Sequence, residues 1–163
     1  MQMCMTQKNI PVEIVPHHLH LSKEDKEVLF GSAKELTVSR ALSQRGQVMY
    51  KETLTLRGEK GEISGVHIVG PDRLQTQVEI TSEDAVILGI ETPERLSGDI
   101  SGSASVEISG PEGSVTIKEG LIVPKIHLHC SDQEAQKLGL TNHKEVVVTF
   151  HGIALDSKGV VVR

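Results

Sequence analysis

The sequence runs to 163 residues, of which 37% are apolar but only 2% aromatic, with a formal net charge of −5. A chain of that length builds one compact domain or two small subdomains sharing an interface, and a core of Val, Ile and Leu suits sheets better than helix bundles. No basic stripe offers itself to nucleic acid, the rings of Phe30, Tyr50 and Phe150 are too few for stacking on bases or sugars, and no apolar stretch is long enough to span a membrane.

Residues 1–9 are polar and no apolar signal-peptide core follows them, so a flexible N-terminal tail and a cytoplasmic location are expected. Cys4 falls in that tail and Cys130 far from it, which argues against a structural disulfide and for a reducing compartment. The stretch Ile14-Val15-Pro16-His17-His18-Leu19-His20-Leu21-Ser22 reads as a strand ending on a helix cap, and Lys23–Phe30 as the short helix it opens. Thr53–Leu56 alternates, turns through Gly58-Glu59-Lys60-Gly61 and resumes at Ile63, which is a hairpin signal. Val69-Gly70-Pro71-Asp72-Arg73 is a strand end and turn, placing Arg73 on a loop six residues before Glu79. Gln75–Ile80 is a polar strand. Thr81-Ser82-Glu83-Asp84-Ala85, closing at Leu88-Gly89-Ile90, is a partial echo of the first strand–helix unit. Pro93–Asp99 is a second basic loop, and Val106–Ile108, Gly110-Pro111-Glu112-Gly113 and Val115–Ile117 make a second hairpin.

The first unit then repeats. Ile122-Val123-Pro124-Lys125-Ile126-His127-Leu128-His129-Cys130-Ser131 leads into a helix at Asp132–Leu138, with one extra residue between the proline and the first paired histidine. Val146–Phe150 and Val160–Val162 are further strands, the last expected as an exposed apolar edge. About ten short strands and three short helices make a β-rich pattern. Two similar units predict two small β-barrels related by internal duplication, each capped by short helices. With no Pro-rich or Gly/Ser-rich linker between them, they are expected to pack together as one unit over residues 10–163.

His18 and His20 lie two apart on a strand, so both side chains point to one face and can bind one metal ion. His127 and His129 repeat the arrangement. A single His-x-His is a weak signal; two in duplicated contexts are a strong one, and zinc is the commonest ion for imidazole in a cytoplasmic fold. His17, His67, His143 and His151 lack the pattern and read as ordinary surface or turn residues. Glu79 is a carboxylate suited to partner a metal cation, though an isolated strand glutamate is ordinarily solvated surface. Arg73 has the fork geometry that grips phosphate, but by itself it reads sooner as a surface arginine. Cys130, directly after a paired His, could serve as a nucleophile or an extra ligand but reads sooner as a small strand-end residue. No Gly-x-Ser-x-Gly elbow, phosphate-binding P-loop or Gly-x-Gly-x-x-Gly fingerprint occurs. A cupin-type metalloenzyme would show one His-x-His in a single barrel, which the duplicated pairs disfavour.

From about Ile10 to Arg163 the chain resembles the PduL-type phosphotransacylases, or phosphate propanoyltransferases. The matching stretches are His18-Leu19-His20-Leu21-Ser22, Leu42-Ser43-Gln44, Gly70-Pro71-Asp72-Arg73, Thr76-Gln77-Val78-Glu79-Ile80, Arg95-Leu96-Ser97-Gly98-Asp99 and His127-Leu128-His129. The resemblance implies two helix-capped β-barrels with a dinuclear zinc site between them. His18 and His20 would hold one zinc, His127 and His129 the other, Glu79 matches the family's metal-binding glutamate, and Arg73 its phosphate-binding arginine. The implied reaction converts acyl-CoA (acetyl or propanoyl) and phosphate to acyl phosphate and CoA, and back. The alternative is a degenerate or truncated, non-catalytic metal- or CoA-binding paralogue. Three positions where the family carries Arg are His17, His67 and Ile126 here. The family's C-terminal segment, whose further His completes the second zinc site, is not found before Arg163; an open second site and possible homo-oligomers are expected on that account.

Overall fold

The computed structural model describes residues 10, 14–150 and 155–163, with backbone alone for 155–158. The tail expected at 1–9, with Cys4, and His151 lie outside the described residues. One structural unit occurs three times: a short strand, a capped helix, and a hairpin whose second strand returns to pair in parallel with the first. The first copy is β1 (His18–His20), α1 (Lys23–Phe30), an outer strand β2 (Val38–Ala41), and the hairpin β3 (Val48–Arg57) to β4 (Glu62–Gly70). The second is β5 (Gln77–Glu79), α2 (Ser82–Leu88), the two-residue β6 (Glu94–Arg95), and the hairpin β7 (Ala104–Ser109) to β8 (Ser114–Pro124). The third is β9 (His127–Leu128), α3 (Asp132–Leu138), β10 (Glu145–Phe150) and β11 (Leu155–Val162). The parallel returns are β1 with β4, β5 with β8 and β9 with β11.

Local chemistry sets each helix. Ser22, Thr81 and Ser131 accept the N–H of Asp25, Asp84 and Glu134 respectively, three residues on, and for α2 and α3 the acidic side chain answers to the cap's own N–H. Gly89 and Gly139 close α2 and α3 in the left-handed region, at φ 71° and 66°, where glycine carries no Cβ penalty. The echo at Thr81–Ile90 is therefore a full copy of the unit.

The first two copies close one barrel. Going round it, β1 pairs with β4, β4 with β3, β3 with β7, β7 with β8, β8 with β5, and β5 with β1 again. The barrel is filled by aliphatic residues from both copies, among them Leu19, Leu56, Val66, Val78, Ile108 and Leu121, all shut off from solvent. Each hairpin also caps the other copy's helix. Lys60 N–H in the β3–β4 turn donates to the Leu88 carbonyl at 3.0 Å, and Glu112 N–H in the β7–β8 turn to that of Leu29 at 3.1 Å. Those carbonyls are at helix ends that lack partners of their own. The approach demands glycine: a Cβ on Gly58 would stand 2.2 Å from the Leu88 oxygen, and one on Gly110 2.6 Å from that of Leu29.

Of the expected pair of duplicated barrels, one closed barrel of six strands is seen, and it takes both of the first two copies. Closure takes two hairpins, so the duplication lies inside the one barrel. The third copy forms a three-stranded sheet in the order β10-β11-β9, equivalent to β3-β4-β1, and a second closed barrel is not formed among the described residues. Val160–Val162 is likewise no exposed edge. These residues are buried, and β11 is the central strand of its sheet.

Candidate metal centre

The expected site residues occupy the same two positions of the repeated unit: His18 and His20 in the first copy, Gln77 and Glu79 in the second, His127 and His129 in the third. Each position precedes the helix cap by the same interval. Because β1 and β5 run antiparallel, His18 stands opposite Glu79 and His20 opposite Gln77. Leu19 and Val78 alternate with them and fill the barrel core, so the four polar side chains share its outer face. The ligand atoms of His18, His20 and Glu79 all fall within 4.8 Å of one another. His18 Nε2 lies 3.5 Å from Glu79 Oε2. His20 and Glu79 are only 4% and 3% exposed, a depth at which unpaired polar groups are costly.

Burial keeps these imidazoles neutral. It lowers the pKa of His18 against the opposing pull of Glu79, and with the Arg73 guanidinium it brings His20 down to about 3. Both rings therefore offer lone pairs across the neutral range. Both Nδ1 atoms are buried; that of His18 has no hydrogen-bond partner, while the His20 ring is turned to the Val69 backbone. Two neutral imidazoles, one carboxylate and an orphaned ring nitrogen are a donor set that fits a zinc-type ion.

Arg73 reaches the same array, its Nη2 standing 2.9 Å from His20 Nε2. Its loop is tied to the start of α1. Arg73 N–H donates to the Leu21 carbonyl, Ser22 N–H to Thr76 Oγ1, the Thr76 hydroxyl to Asp25, and Lys26 pairs with Asp72. Arg73 also lines an open cleft of about 450 Å³ with Asp72, Leu74, Gln75, Gln77 and Gly98. His17, expected to be an ordinary surface residue, is half-buried and sits 3.3 Å from Asp84 at the start of α2.

The second histidine pair is set up differently. His127 Nδ1 lies 2.7 Å from the Lys125 carbonyl, an acceptor only, so that nitrogen carries the proton and Nε2 keeps its lone pair. Nε2 of His127 and of His129 converge to 3.1 Å. His129 is exposed as a residue, yet desolvation of its ring nitrogen, then His127 and Arg163, lower its pKa to about 4. Glu79 and Arg73 act on His129 and His127 acts on His18, so the two pairs lie within electrostatic reach of each other. Among the described residues only His18, His20 and Glu79 form a three-ligand cluster. Cys130, whose thiol is pushed up by burial and then by Glu134, is no ready nucleophile.

Sequence reasoning missed Gln77, which is 2% exposed and hydrogen-bonds Glu79 directly, and Ser97, which is also buried beside it. The signal was available. Setting Gln77-Val78-Glu79-Ile80-Thr81 under His18-Leu19-His20-Leu21-Ser22 puts Gln77 at a ligand position.

Comparison with known proteins adds an independent line. The family model for phosphate propanoyltransferase matches residues 11–163. The chain is 43% identical over 143 residues to a phosphate propanoyltransferase of Rhodobacter capsulatus, covering 88% of this chain and 66% of that protein. It is 43% identical over 143 residues to one of Rhodopseudomonas palustris, covering 88% and 63%. It is 41% identical over 146 residues to one of Thermotoga maritima, covering 90% and 69%. The chain thus spans about two thirds of the length of the curated relatives it matches.

Proposed function

The chain belongs to the phosphate propanoyltransferase family, and on that premise we propose that it exchanges an acyl group between CoA and inorganic phosphate at the His18–His20–Glu79 face. The observation that carries the reading is the convergence of those three side chains with Arg73 at the mouth of the cleft. His18, His20 and Glu79 would hold a first zinc ion, and His127 with His129 a second. Bound zinc supplies Lewis acidity toward a thioester carbonyl and toward the departing thiolate. The rest falls to the chain itself. Arg73 grips phosphate through a charge-assisted fork and aims one oxygen at the acyl carbon. The new C–O bond forms as the C–S bond breaks, and CoA leaves as thiolate. Desolvation around His20 and Glu79 strengthens each of these charge interactions. The exposed Leu74 on the cleft wall offers an apolar contact to the acyl or pantetheine portion. No side chain need be acylated, in keeping with the protonated Cys130.

The finer fold reading belongs to the same proposal: β9, α3, β10 and β11 are half of a second barrel, placed so that its histidines face the first. Acetyl and propanoyl substrates, homo-oligomer formation and a cytoplasmic setting are carried as parts of this reading; the described residues contain no helix long and apolar enough to cross a membrane. One specific observation favours a second reading as a non-catalytic metal-binding paralogue, namely that His127 and His129 have no third ligand among the described residues. Thiol release from propanoyl-CoA and acetyl-CoA with phosphate, with and without zinc, separates the two. Phosphate-dependent release that rises with zinc supports the acyltransferase, whereas zinc uptake without release supports the paralogue.

A further inference from the structure

We propose that Gln77 is a positioning residue that fixes which oxygen of Glu79 faces the histidines and ties that carboxylate to the wall of the substrate cleft. This rests on the function proposed above.

Three contacts carry it. Gln77 Nε2 donates to Glu79 Oε1 at 2.5 Å and lies 3.1 Å from Ser97 Oγ, while its Oε1 accepts the Gly98 N–H at 2.8 Å. The other Glu79 oxygen, Oε2, is the one turned toward His18. The amide thereby divides the carboxylate into a tethered oxygen and a free one, so that one oxygen is presented to an ion at the histidines. Gln77 stands in a position that holds histidine in both other copies of the unit. An amide there donates to the neighbouring ligand instead of competing with it for a cation. Gln77 and Gly98 both line the cleft that holds Arg73.

The carboxamide is buried and uses three of its four hydrogen-bonding capacities, which separates it from a side chain that merely fills space. Gln77→Leu keeps the approximate volume but strands Glu79 Oε1 and frees the carboxylate to rotate. Outer partners of metal ligands alter affinity by about 10- to 100-fold when removed, and a shift in that range is expected here.

The test is a titration of the full chain with cobalt(II), whose visible absorption reports ligand geometry, using the original protein, Gln77→Leu and Ser97→Ala, alongside thiol-release kinetics. The expected result is about 10-fold or greater weakening of cobalt affinity with an altered spectrum in Gln77→Leu, and a smaller change of the same sign in Ser97→Ala. A fall in kcat with little change in the KM for acyl-CoA should accompany it. If Gln77→Leu fails to fold, Ser97→Ala decides alone. Variants that bind cobalt with the original affinity and spectrum overturn the proposal and leave the acyltransferase reading standing. An original chain that takes up no cobalt or zinc overturns both.

Discussion

Individual side chains carry the chemistry, and each can be tested separately. His18→Ala with His20→Ala should abolish one metal equivalent and leave the other, read by elemental analysis of protein purified without chelators; loss of both, or of neither, would break the two-site reading. Arg73→Ala should depress phosphate use by about thirty-fold to a thousand-fold, since a charge-assisted contact to phosphate contributes about 2–4 kcal/mol in the transition state. The dependence of rate on phosphate concentration, at fixed acyl-CoA, checks this. Metal-free protein should be acid-sensitive. His20 titrates at about 3 when folded but near 6.5 when unfolded, so the unfolded chain binds a proton that the folded chain refuses between those values. Stability is complete above pH 6.5 and declines as pH falls toward 3, by about 2 kcal/mol at pH 5. Denaturant midpoints at pH 7.5 and pH 5 measure it, and His20→Gln should flatten the profile. The histidine pairs were legible in the sequence because a two-residue spacing on a strand fixes a shared face. Gln77 is legible only by setting the second copy of the unit under the first, because nothing in its own stretch marks it and cross-strand register is not written locally.

Helices and turns were the most legible elements, for the same reason of locality. Helices α1 and α3 start and stop where their Ser caps and terminal residues predict, at Lys23–Phe30 and Asp132–Leu138. Both hairpins fall on the predicted glycine turns. The outer strand β2 went unread: Val38–Ala41 is exposed along its whole length and shows no alternation. Which hairpin completes which barrel also went unread, since alternating strands declare their faces and leave their neighbours open. The glycine turns give the test at this scale. Gly58→Ala should lower stability by at least about 1–3 kcal/mol, because the added methyl runs into the Leu88 carbonyl and pushes the hairpin off α2. Thr81→Ala, which removes the cap of the same helix, should cost about 1 kcal/mol. If thermal melts show Gly58→Ala milder than Thr81→Ala, the hairpin-to-helix contact is looser than described.

Across the whole molecule, stability should be divided unevenly. The main hydrophobic cluster runs from Leu19 to Leu121 and is shared by the closed barrel and the helices α1 and α2 packed on it, while β9, β10 and β11 form a separate small sheet. Native-state hydrogen exchange should find the barrel strands opening together at the highest free energy and the third unit opening earlier. A single common opening would show that the third unit is integral to the barrel. The interlocked pairing also bears on the chain's birth. His18 waits for Glu79, about 60 residues downstream, and at synthesis rates of about 5–20 residues per second that is roughly 3–12 s. The first unit is whole at Gly70, yet the strands that close its barrel run on to Pro124, so for about 54 further residues it stands without them. Nascent copies on neighbouring ribosomes of the same message carry those very strands, so the polysome is where exchange between molecules competes with closure within one.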